Sequence, residues 1–149
     1  IVHEAKTLQG RDAIFKELAS SEFNPLKYVI LEELPSLTRN INSEIYQQEP
    51  NPTIVEYSPN RVIIKANLLE DGYIVLCDTF YPGWNAYVDG KKSRVLKTDY
   101  ILRSVFLEKG DHIVKFVYEP KSFTIGMVIT LTSIVILIPL SIYFKIRRR

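Results

Sequence analysis

The sequence predicts a mainly β protein: an antiparallel β-sandwich with one short N-terminal helix, carried on one C-terminal transmembrane α-helix. Three observations predict it. Apolar and polar side chains alternate over Arg61 to Leu69, the two-residue period of a half-buried strand. Turn dipeptides, Asp71-Gly72, Asp89-Gly90 and Lys109-Gly110, then separate a series of short apolar runs. Last, the 22 residues from Phe123 to Phe144 carry no charge, and Lys145, Arg147, Arg148 and Arg149 follow at once.

Taken in order, Val2 to Thr7 reads as a strand, and Asp12 as the cap of a short helix running through Ile14, Phe15, Leu18 and Ala19. Asn24-Pro25 marks its exit, and Tyr28 to Leu31 reads as a second strand. Between Pro35 and Pro52 the composition turns polar, with Asn40, Asn42, Gln47 and Gln48, as in a surface loop. Within Arg61 to Leu69, Val62, Ile64, Ala66 and Leu68 share the inner face, leaving Arg61, Lys65 and Asn67 outside. Tyr73 to Thr79 follows the first turn. Hairpins are then expected to join Trp84 to Val88 with Lys91 to Leu96, and Ile101 to Leu107 with His112 to Tyr118, each turn glycine taking a positive φ. Cys77 is the sole cysteine, which excludes an internal disulfide and suggests a small buried thiol.

At about 1.5 Å per residue the uncharged stretch makes a helix of roughly 33 Å, enough to cross a hydrocarbon core about 30 Å thick. Thirteen of its residues are Ile, Leu, Val or Phe, a gross insertion gain on the order of −5 kcal/mol. Pro139 removes one backbone donor and crowds the carbonyl of Val135, so a kink is expected near the basic end. Lys145, Arg147, Arg148 and Arg149 anchor the orientation: basic residues beside a span stay inside, so the C-terminus is expected in the cytoplasm. The expected division is an extracytoplasmic sandwich domain over 1–121, the span over 122–145 and a basic tail over 146–149. Glu119 to Ser122 is too short for a flexible linker, so the last strand is expected to run almost directly into the bilayer. The chain opens at Ile1, its only methionine is Met127 and its first nine residues hold no apolar run, so a longer parent polypeptide is expected.

Composition removes several function classes. Without the four basic residues of the tail, 15 Lys and Arg stand against 17 Asp and Glu, a net of −2. Such a domain does not attract phosphate backbones, so no nucleic-acid partner is expected. His3 and His112 lie far apart with no Cys or acidic residue at ligand spacing, so neither a metal nor another cofactor is expected. No nucleophile elbow, phosphate-cradling glycine loop or framed carboxylate pair occurs, and no catalytic residue is assigned.

Two places carry candidate contacts with a glycan or a protein partner. Tyr81-Pro82-Gly83-Trp84 sets two aromatics around a turn, and their faces suit the C–H side of a pyranose. The competing reading has Trp84, in register with Ala86 and Val88, filling the core while Pro82-Gly83 merely bends the chain. Arg103 interrupts the apolar run Ile101, Leu102, Val105, Phe106. Buried, it needs an anion, and Asp78 or Asp99 would serve; alternatively it receives a phosphate or uronate group.

The run Cys77-Asp78-Thr79-Phe80-Tyr81-Pro82-Gly83-Trp84-Asn85-Ala86-Tyr87-Val88-Asp89-Gly90-Lys91 resembles the C-terminal signature of the YfhO-type bacterial membrane proteins. Asp99-Tyr100, Arg103-Ser104-Val105, Lys109-Gly110-Asp111-His112, Phe116, Tyr118, Pro120 and Ser122-Phe123 continue it. Upstream, Phe23-Asn24-Pro25, Val29 to Glu33 and Tyr57 to Val62 extend it over nearly the whole chain, with Cys77 and Leu102 as mild departures. The resemblance implies a large polytopic parent similar to lipid-linked-sugar glycosyltransferases that modify cell-envelope polymers. This chain would be its extracytoplasmic C-terminal module and last span, itself non-catalytic. The implied partners are the bilayer, the parent's N-terminal membrane helices, and an envelope glycan or lipid-linked sugar. The alternative is an independent, membrane-anchored carbohydrate-binding or adhesive sandwich.

Overall fold

A computed structural model describes residues 1–33 and 50–148. Most of the polar segment expected as a surface loop, and Arg149, therefore lie outside the described residues. The chain forms two compact units, Ile1–Tyr118 and Glu119–Arg149.

The first unit contains β1 (Glu4–Thr7), α1 (Arg11–Leu18), β2 (Tyr28–Leu31), β3 (Thr53–Ser58), β4 (Arg61–Leu68), β5 (Gly72–Thr79), β6 (Trp84–Val88), β7 (Lys91–Ser93), β8 (Leu96–Thr98), β9 (Leu102–Leu107) and β10 (Gly110–Tyr118). Two five-stranded sheets result, one ordered β1-β2-β8-β9-β5 and the other β3-β4-β10-β6-β7. The alternation of β4 is realised: Val62, Ile64, Ala66 and Leu68 are buried. They meet Val114 and Phe116 of β10 and Ala86 of β6 from their own sheet, and Ile74, Leu76, Val105 and Leu107 from the other. That cluster is the sandwich core. The opposite face of the first sheet has its own cluster, in which Val29, Leu31, Tyr73 and Leu96 pack with Val2. Val2 and Tyr73 exchange both backbone hydrogen bonds, at 2.9 and 2.6 Å, so the residues leading into one edge strand are tied to the other edge strand, β5.

Several expectations are corrected. The mainly β fold with antiparallel-rich sheets is as expected, with one departure: α1 reverses the chain between β1 and β2 and makes that pair parallel. Gly10, not Asp12, occupies the helix cap; Asp12 lies in the first turn and pairs with Arg11 at 3.5 Å. Glu17 ties α1 to both strands, accepting from Lys6 Nζ at 2.7 Å and from the Tyr28 hydroxyl at 2.6 Å, the latter bond pushing the phenol up to about 12. The expected strand Lys91 to Leu96 is two: β7 pairs with β6, and the chain then crosses at Arg94-Val95 to the other sheet as β8.

Of the three turn dipeptides, Asp89-Gly90 alone closes a hairpin, with φ of 51° and 79° as a type I′ turn requires. Asp71-Gly72 and Lys109-Gly110 instead carry the chain from one sheet to the other. Gly110 has the expected positive φ of 129°, whereas Gly72 is needed for space: a Cβ there would lie 2.8 Å from His3 Nδ1 and 2.9 Å from the Val2 carbonyl oxygen. Cys77 is exposed rather than buried, next to a register shift between Leu76 and Thr79 that turns the end of β5 away from the core. The strand β3 has no counterpart in the sequence reading, because Ile54, Val55 and Tyr57 do not alternate and are all exposed.

In the second unit, α2 (Lys121–Arg147) is a 27-residue helix, long and apolar enough to cross a membrane, with Pro139 inside it and Lys145 and Arg147 in its last turn. Thr130, Thr132 and Ser133 each donate to the carbonyl four residues earlier at 2.8 Å, so these hydroxyls are satisfied within the helix.

Candidate functional site

The end of the sandwich where β6 begins and β10 finishes holds the residues singled out above. Tyr81-Pro82-Gly83-Trp84 closes as a turn, with proline at its second position, Gly83 at φ 113°, and the Trp84 N–H donating to the Tyr81 carbonyl at 3.3 Å. This is the type II pattern, in which only the third residue needs a left-handed backbone. It launches Trp84 as the first residue of β6, opposite Tyr118 of β10. The two rings lie 5.3 Å apart at 47°, and Tyr81 lies 6.5 Å from Tyr118. Tyr81 itself is 61% exposed.

Arg103, on the interior strand β9, comes from beneath. Its side chain is 3% exposed. Nη2 donates to Asp78 Oδ2 at 2.8 Å and Nη1 to the Thr79 carbonyl at 3.0 Å, while the guanidinium carbon sits 3.8 Å from the centre of the Trp84 ring. Phe116 flanks it at 5.6 Å, and Nε is buried with no protein partner. Of the two anions expected to serve Arg103, Asp78 is the one that does; Asp99 accepts from the Ile30 N–H at 2.8 Å. Burial lowers the Arg103 pKa, and the charge of Asp78 opposes that. The Tyr57 hydroxyl donates to both oxygens of Asp78 at 3.0 Å, which raises the phenol's pKa. Trp84 packs partly against the core, as the core reading expected, and its ring face takes the Arg103 guanidinium.

Together these groups line an open groove of about 470 Å³, within the range of small-ligand sites. Tyr57 and Tyr81 stand exposed at it, Trp84 and Tyr118 contribute rings, and Asp78 with Arg103 forms a neutralised pair. Tyr81 and Trp84, read as one turn in the sequence, and Arg103, read as a separate place, are therefore brought together. The basic residues Lys145, Arg147 and Arg148 belong to the other unit. Tyr57 and Tyr118 were missed as site residues. The antiparallel register sets Tyr118 across from Trp84, and Tyr57 reaches Asp78 only because β3 pairs with β4.

A second cleft of about 420 Å³ lies where the β6–β7 hairpin turns. There His112 Nδ1 is 2.7 Å from Asp89 Oδ2 and Nε2 is 2.9 Å from the Glu108 carbonyl oxygen. Asp89 also accepts from the Ile113 N–H at 2.8 Å, and that bond, followed by His112, lowers its pKa. Among the described residues, no cluster of three or more His, Cys, Asp or Glu is placed to hold a metal ion.

The family model described as Bacterial membrane protein YfhO matches residues 33–130, which take in the groove and reach into α2. An uncharacterized protein YfhO of Bacillus subtilis (strain 168) is 30% identical over 95 residues, covering 64% of this chain and 10% of the relative. The chain therefore spans about a tenth of that relative's length. No solved structure matches it. A match over most of the chain, joined to a helix fit to span a bilayer, makes this a membrane protein of the YfhO family.

Proposed function

We propose that Ile1–Tyr118 is a non-catalytic, extracytoplasmic module of a longer YfhO-type protein that transfers sugars to cell-envelope polymers, and that it holds the acceptor glycan for that reaction. The observation that carries the proposal is the aromatic groove: three tyrosines and a tryptophan converge on one end of the sandwich, the composition a sugar ring's C–H face needs. Its charged groups are already engaged with one another, Asp78 by Arg103 and Tyr57, which favours holding over proton transfer. The donor sugar, on a lipid carrier, is handled by parts of the parent absent from this chain. Lys145, Arg147, Arg148 and Arg149 keep the C-terminus in the cytoplasm and so place the sandwich outside.

Deleting residues 1–118 from the longer protein, with α2 retained, tests the role. Sugar incorporation into the envelope polymer should collapse while the protein stays in the membrane; undiminished incorporation refutes it. Orientation has its own probe, because Cys77 is exposed. In a parent cleared of other cysteines, a membrane-impermeant maleimide should label Cys77 on intact cells.

A further inference from the structure

We infer that the groove between Tyr57 and Tyr81 is a subsite for an uncharged pyranose, and that Arg103 is a positioning residue for Trp84 rather than a receptor for anions; this rests on the acceptor-holding reading above. Electrostatics and access decide the ligand class. An anionic sugar needs an open cationic donor, yet Arg103 is 2% exposed, Nη2 and Nη1 are each held, by Asp78 and the Thr79 carbonyl, its Nε is buried, and its face is against Trp84. The exposed member of the pair is instead Asp78, 30% exposed: neutralised by Arg103, it offers phosphates and uronates no net positive charge, while its remaining lone pairs accept from sugar hydroxyls. Tyr57 and Tyr81, 62% and 61% exposed, supply apolar ring surface on either side. Rings of this kind bind an uncharged ring by burying its C–H face, and the carboxylate between them fixes its hydroxyls.

Arg103 contributes from below. Pinned by two hydrogen bonds, its planar guanidinium fixes the Trp84 ring, which a lysine's point charge cannot do in the same way. Trp84 is the only tryptophan in the chain, so its emission reports on this groove alone.

The test titrates the full chain, in micelles of a detergent without a sugar headgroup, following Trp84 emission. The probes are methyl β-glucoside, methyl β-galactoside and methyl N-acetyl-β-glucosaminide, against glucuronate and glucose 6-phosphate. At least one uncharged glycoside should change the emission saturably, with the two acidic sugars at least roughly tenfold weaker. Tyr81→Ala should weaken that binding roughly three- to tenfold without altering the melting temperature. Arg103→Lys should shift the emission of the free protein and weaken binding, in protein that circular dichroism shows to be folded. Acidic sugars binding as well as neutral ones would overturn the ligand class, as would the absence of any binding. Either result leaves the deletion experiment to judge acceptor holding separately. An unchanged emission in Arg103→Lys would remove Arg103 from its positioning role.

Discussion

The two ends of the sandwich each set a nitrogen-bearing side chain against an aspartate, and they use it differently. At the aromatic end Arg103 is buried, and its pairing with Asp78 fixes Trp84 and engages Tyr57. At the hairpin end His112 pairs with Asp89, itself 47% exposed, and the pair pins a turn. The lesson is that burial, more than charge, decides what an ion pair organises. Once water is excluded, the partner is compulsory, and everything touching the pair inherits its geometry.

The sharpest way to break the comparison is to remove one anion from each end. Asp78→Ala leaves a buried guanidinium uncompensated and should cost about 3 kcal/mol in thermal or chemical unfolding. Gly72→Ala comes next, at roughly 2 kcal/mol, because the Val2 carbonyl cannot move without loosening its bonds to Tyr73. A loss after Gly72→Ala as large as that after Asp78→Ala would mean that backbone closure matters as much as the buried pair.

Asp99→Asn should act in the other direction. Burial raises the Asp99 pKa, so the folded state favours the protonated form, and ionisation costs stability as pH rises from the ordinary carboxylate range through the raised value. An asparagine keeps an acceptor for the Ile30 N–H, suits the φ of 49°, and removes that cost. The melting temperature at neutral pH should rise by roughly 3 °C, and the gain should vanish in acid. Asp89→Asn is the smallest change, under about 1 kcal/mol, because the site is wet. Its sign is opposite to that of Asp99: the lowered Asp89 pKa stabilises the fold above the ordinary carboxylate range and ceases to do so as acid brings the pH down through it. Melting curves across pH 2–7 for the two variants separate these signs.

What could be read from the sequence was what is local. The inward row of β4, the type I′ turn at Asp89-Gly90 and the long apolar helix are written in periods and dipeptides, and the structure has them all. What escaped depends on pairing between distant segments. Nothing near Gly72 announces that Val2 and His3 will press on it, and nothing near Tyr118 announces Trp84 as its cross-strand neighbour. Arg103 sits between these cases. Its demand for an anion was legible from one cation among apolar neighbours, and two aspartates were named for it. The choice of Asp78 required the end of β5 to twist past its register shift.

The exchange between Val2 and Tyr73 bears on how copies of this molecule would stick together. A sheet whose margins are knotted to each other offers a stranger little backbone to zip onto, whereas its companion keeps two flanks that are unpaired among the described residues. One of those flanks is guarded by Lys91 and Lys92 on a strand of only three residues. The other, Thr53–Ser58, shows Ile54, Val55 and Tyr57 to solvent with nothing beyond it among the described residues. Unwanted fibrils or precipitates of this protein should therefore grow from Thr53–Ser58, and a proline placed there should keep concentrated samples clear.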